Sequence, residues 1–188
     1  GVRHVYDAGD DPAPFDMLTT AMMMAYLGRR NDDPGLGKPY IEQAIERTEN
    51  ATDEEVREER KGLLPDYALL ILEDEEKAVA YKKDTYDEGW QEDPDALNGF
   101  AWWCFSNGIN LAEAQEMAAK GAKLAEPGAE KAQVLDTLAE ISHARGDSEA
   151  AVVHIRAALA EDPDSEHYQE QLERFQEAAS GKGEGSSR

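Results

Sequence analysis

From Phe15 onward the apolar residues recur at three- and four-residue spacing, the period of an amphipathic helix, and no stretch keeps the strict alternation of a strand. Phe15, Leu18, Met22, Ala25 and Tyr26 form the first stripe, which Gly28 closes. The segment RRNDDPGLGKP that follows is dense in turn residues and reads as a loop. A second helix is expected from Pro39, with Ile41, Ala44 and Ile45 on one face and its end near Asn50. Thr52 and Glu55 then have the spacing of a capping box. Pro65 lies inside the next run and predicts a break or kink near Leu64, because proline removes a backbone donor and crowds the preceding turn. A long helix is expected from Asp74 to about Gln91, carrying Ala78, Val79, Tyr81 and Tyr86, with Trp90 near its end. Further helices are predicted over 95–107, 111–125, 129–145, 148–161 and 164–179, so the fold class is all-α.

Two of these segments repeat one another, LNGFAWWCFSNGINLAEAQEMAAKGAKLAEPG from Leu97 and LDTLAEISHARGDSEAAVVHIRAALAEDPD from Leu135. The offset is 38 residues at Gly108 and Gly146, 37 at Ala114 and Ala151, and 36 at Pro127 and Pro163, so the first copy carries small insertions. A period in the thirties built of helix, Gly turn and helix is the mark of a helical solenoid, a class that presents surfaces more often than it performs reactions. The expected organisation is a lead-in or linker over 1–13, degenerate helical repeats over 14–93, two clear repeats over 94–163, a capping helix over 164–179 and a disordered tail over 180–188. The tail, SGKGEGSSR, has no apolar residue to bury.

The repeated positions resemble the tetratricopeptide repeat. In the second copy Leu135, Leu138, Ala139, Gly146, Ala151, Ile155, Ala158 and Pro163 match its spacing without a gap. In the first, Leu97, Phe100, Ala101 and Gly108 match, Ala114 and Pro127 are each displaced by one residue, and Cys104 stands where tyrosine is usual. The resemblance implies a right-handed α-solenoid of antiparallel helix pairs, about eight or nine helices long, capped by the helix that carries Tyr168, Leu172 and Phe175. It also implies a concave groove lined by first-helix positions that face away from the core: Asn98, Trp102 and Phe105 in one repeat, Asp136, Glu140 and His143 in the next. Of the neighbours Trp102 and Trp103, one is expected to face the core. A tryptophan beside acids suits a protein or peptide partner bearing basic and apolar residues. Family members that clamp acidic peptide termini use Lys, Arg and Asn on these faces, and Asp136 and Glu140 argue against such ligands. The expected function is therefore a non-catalytic protein-interaction scaffold. The chain is also similar to the C-terminal repeat region found behind thioredoxin-like domains in some bacterial envelope proteins, which implies as an alternative a regulatory or substrate-positioning domain of a thiol-disulfide oxidoreductase.

Composition narrows the partners. Forty-one acidic against 19 basic residues give a formal charge of -22, which disfavours nucleic acid and anionic membranes and favours a basic partner, a salt-rich medium, or both. A single cysteine, Cys104 in the apolar run FAWWCF, excludes an internal disulfide or CxxC pair and is expected to be a buried small hydrophobe. GLGK at 35–38 lacks the glycine and the Ser or Thr of a phosphate loop, having Asp32 and Pro39 instead. His4, His143, His154 and His167 have no metal-ligand spacing, and the acidic runs lack the pattern of a calcium loop, so no metal, cofactor or catalytic residue is expected. In Met22, Met23 and Met24, three consecutive positions span most of a helix circumference, so at least one should fill the core. No apolar run reaches the length of a membrane span. The opening GVRHVYDAGDD lacks methionine and reads as an excised or mature fragment, which leaves localisation open between the cytoplasm and a periplasmic or secreted setting.

Overall fold

A computed structural model describes residues 12–181 of the chain. His4, most of the expected lead-in and most of the expected tail lie outside them. The described residues form nine α-helices and no strand: α1 (Pro14–Arg30), α2 (Lys38–Arg47), α3 (Glu54–Tyr67), α4 (Glu75–Asp84), α5 (Pro94–Ser106), α6 (Leu111–Leu124), α7 (Ala129–Ala144), α8 (Ser148–Glu161) and α9 (Glu166–Ala179). Among them no helix is long and apolar enough to cross a membrane. The chain divides into two compact units at Tyr86 and Asp87.

In the N-terminal unit α1 packs on α2 and α3, and α3 on α4. Its core consists of Met17, Leu18, Ala21 and Ala25 of α1, Ile41, Ala44 and Ile45 of α2, and Val56 and Leu63 of α3. The buried stripe of α1 is thus shifted from the expected one. Phe15 and Tyr26 are exposed, Met22 packs against the core and Met23 faces out. The ion pair of Arg29 with the buried Asp66, 2.6 Å long, ties the end of α1 to α3.

Three expectations are corrected in this unit. The cap of α3 is Asp53 rather than Thr52, and its carboxylate accepts the Val56 N–H at 3.2 Å. Pro65 does not break α3. The helix runs through it and widens into a π-helical turn over Ala68–Leu72. Burial of Leu63, Pro65 and Ala68 holds the proline in place against the loss of its i−4 hydrogen bond. The long helix expected to Gln91 stops at Asp84, and Trp90 opens a separate 3-10 turn after Gly89, whose φ of 84° favours glycine.

The GLGK segment has a packing role. Gly37 begins α2 so close to α1 that a Cβ there would stand 2.9 Å from the Ala25 Cα. Both partners are backbone held by buried helices, so Gly37→Val is expected to cost about 1–3 kcal/mol of stability by overpacking, read as a lowered denaturant midpoint.

The C-terminal unit opens with Trp90 tilted against Phe100, ring centroids 5.4 Å apart. From α5 to α9 each helix packs on the next, and α5 also packs on α7. Asp93, Asp147 and Ser165 cap α5, α8 and α9 through their side chains, which places three of the predicted helix starts within two residues. The small residues Ala101, Ala139, Ala151 and Ala158 are all fully buried, as expected for positions where helices approach closely. Leu97, Phe100, Cys104 and Ile155 are equally inaccessible. One extra residue of the first repeat lies at its turn, where Ile109 is buried and Asn110 takes φ 49° immediately before α6, and the other lies between Ala114 and Pro127. On α9, Phe175 is fully buried with Ala132, Leu135, Ala139, Ala151, Ile155 and Ala158, and Tyr168 and Leu172 pack beside it. Glu161, ending α8, accepts the Gly128 N–H at 2.9 Å and pairs with Lys131 at 2.9 Å, which fastens it to the start of α7. The Lys131 bond holds the Glu161 carboxyl below its ordinary value.

Candidate functional site

Helices α5 and α7 lie side by side, and between them is a cavity of about 300 Å³. On α5 it is lined by Asp95, Asn98, Gly99 and Trp102, and on α7 by Gln133, Asp136 and Thr137. The spacing explains the placement, because residues three and four apart on a helix share a face. The faces opposite carry Leu97, Phe100, Ala101, Leu135 and Leu138, all buried, so burial of one side of each helix orients the other toward the cavity.

Three of the six predicted groove residues meet here. Asn98 is only 8% exposed, and its Oδ1 has no hydrogen-bond partner. Trp102 is 46% exposed and its ring lies 5.3 Å from that of Phe105, which flanks the cavity without lining it. Of the tryptophan pair, Trp103 is the half-buried member. Asp136 has its side chain 14% exposed; its Oδ2 lies 3.3 Å from His167 Nε2, and its Oδ1 has no partner. Burial pushes the Asp136 carboxyl above its ordinary value and the Glu140 charge adds to this, while His167 and Arg174 oppose it.

The other two predicted residues do not reach the cavity. Glu140 is buried beneath α9, where its Oε1 accepts from Gln171 Nε2 at 2.7 Å and Arg174 at 2.5 Å. His143 stacks near Phe175, centroids 5.1 Å apart, and its Nδ1 lies 3.0 Å from the Ser148 Oγ. The capping helix therefore occupies the end of α7 that was expected to face a ligand.

Asp95, Gly99, Gln133 and Thr137 line the cavity and were absent from the predicted set. Asp95 and Gln133 continue the same helical stripe one turn toward the start of each helix, and Gly99 and Thr137 widen it, each following a predicted residue directly. His167 lies 31 residues from Asp136 in the chain, and no local pattern announces their contact.

Among the described residues, four buried side-chain polar atoms lack a hydrogen-bond partner, and two of them, Asn98 Oδ1 and Asp136 Oδ1, belong to residues lining this one cavity. Both are acceptors. A buried unpaired polar atom costs about 1–3 kcal/mol, more when charged. No lysine or arginine lines the cavity. Among the described residues no three His, Cys, Asp or Glu side chains cluster as metal ligands would. No protein-family model, curated protein or solved structure matches the chain.

Proposed function

We propose that this chain is a non-catalytic interaction scaffold of tetratricopeptide type, in which the repeats over 94–163 stack as a right-handed α-solenoid and the groove between α5 and α7 takes a basic side chain from a protein or peptide partner. The observation that carries this reading is that Asn98 and Asp136, each with a buried unpaired oxygen, line one cavity together with the exposed Trp102. An ammonium or guanidinium supplies only donors, answers the charges of Asp136 and Asp95, and gains from the electron-rich indole face. The packing of α5 on both α6 and α7 supports repeat stacking, since first helices of successive repeats touch in such arrays. The formal charge of -22 supports a basic partner, whose encounter the field of the protein accelerates at low salt.

Titration of the full chain with short peptides containing Lys or Arg beside an apolar residue, followed by tryptophan fluorescence and calorimetry, tests the proposal. Binding is expected to weaken with added salt, and Trp102→Ala to weaken it about tenfold or more while leaving helicity intact. Equal affinity for acidic and basic peptides overturns it.

A further inference from the structure

The remaining two unpaired buried atoms, Gln43 Oε1 and Arg60 Nε, belong to residues lining a second cavity, which lies within the N-terminal unit and has a volume of about 570 Å³. The stripe of α3 and its π-helical continuation that carries Arg60, Leu64, Tyr67 and Ile71 faces α2 across it, and Tyr81 of α4 contributes to the wall. The volume falls within the range of small-molecule pockets, roughly 300–1,000 Å³.

Its chemistry differs from that of the groove between α5 and α7. Gln43 is only 7% exposed and offers an unpaired acceptor, whereas Arg60 offers an unpaired donor on a fixed positive charge. Glu42, Glu46 and Glu49, all exposed, border the same space, yet Arg60 Nε is hydrogen-bonded to none of them. A simple anion would suit Arg60 but meet three carboxylates; a simple cation would suit the carboxylates but leave the guanidinium without an acceptor. A neutral apolar molecule would answer neither unpaired atom. A zwitterion suits all of them once the Gln43 and Arg60 side chains turn toward it: its carboxylate accepts from Arg60, its ammonium donates to Gln43 Oε1 and faces the glutamates, and an apolar side chain lies against Leu64, Tyr67, Ile71 and Tyr81. We propose that the open cavity bordered by α2, α3 with its π-helical continuation, and α4 binds an α-amino acid with a large apolar side chain, in its zwitterionic form. The site is separate from the groove between α5 and α7, and neither proposal depends on the other.

The test uses the full chain and three probes at millimolar concentration: L-phenylalanine, N-acetyl-L-phenylalanine, which lacks the ammonium, and L-phenylalaninamide, which lacks the carboxylate. Amide chemical shifts locate binding, and thermal unfolding reports it independently. L-phenylalanine is expected to shift resonances of α2, α3 and α4 and to raise the unfolding temperature, and each blocked form to bind about tenfold more weakly, the loss of one charge-assisted hydrogen bond. Arg60→Gln is expected to weaken L-phenylalanine to the level of the amide, and Gln43→Met, which keeps the volume and removes the acceptor, to weaken it as well. Absence of shifts with L-phenylalanine, or equal binding of all three probes, overturns the proposal. So does unchanged affinity in both variants.

Discussion

Ala139→Phe is expected to cost about 3 kcal/mol or more and to remove cooperative folding of the C-terminal unit. Ala139 is fully buried on α7, in the cluster that also holds Leu135, Ala151, Ile155 and Phe175. Its methyl group is the reason α7 can lie close to its neighbours, and an aromatic ring there has no free volume to enter. The helices beside α7 are themselves held on their other sides, α8 by α9 and α6 by α5. Relief by a small shift of one helix would therefore break contacts on its far side. Denaturant unfolding followed by circular dichroism and near-ultraviolet signal checks this, with Ala139→Gly as the control, expected to cost only about 1 kcal/mol through helix propensity. A midpoint for the phenylalanine variant close to that of the parent would show that α7 is not closely packed.

Phe175→Ala is expected to cost about 3–5 kcal/mol, the usual range for deleting a fully buried aromatic side chain. Phe175 is the only residue of α9 classed as buried, its ring lies near His143, and the Arg174 guanidinium covers it at 4.4 Å from the centroid. Without that anchor α9 keeps the half-buried Tyr168 and Leu172 and polar contacts that are mostly exposed, so loss should fall on α9 before it spreads to α7 and α8. Amide exchange is expected to accelerate across 166–179 first. Because α9 covers Glu140 and His143, the same variant should expose both. Uniform loss of protection throughout the unit, with no priority for α9, would contradict this assignment.

The helices over 94–179 were legible because each start carries a local cue. Asp93 precedes Pro94, Asp147 follows Gly146, and Ser165 precedes α9; Gly108 and Gly146 take φ 67° and 86°, which their lack of a Cβ permits. In the N-terminal unit the cues competed. Thr52 and Asp53 are both good capping residues, and which one caps depends on how α3 docks. Pro65 is expected to break or kink the helix near Leu64, and α3 runs past it unbroken to Tyr67, with burial of the surrounding apolar residues outweighing the local disturbance. The groove was half legible for the same reason. Asn98, Trp102 and Asp136 follow from helical spacing, whereas the covering of Glu140 and His143 by α9 arises from contacts made some 30 residues away in sequence.

Asp136 separates the binding account from a purely structural one. Because burial holds its carboxyl above the value of 3.8 that it has when solvated, the folded state takes up a proton more readily than the unfolded chain. Its contribution to stability is thus fully present below that value and is lost as the pH rises through the raised one, so none of it remains at neutral pH. The decisive measurement compares Asp136→Asn with the parent at neutral pH, following thermal unfolding and calorimetric titration with a Lys- or Arg-bearing peptide. An unfolding temperature equal to or above that of the parent, together with loss of peptide binding, is the predicted result. A destabilised variant that still binds the peptide with parental affinity would contradict the account.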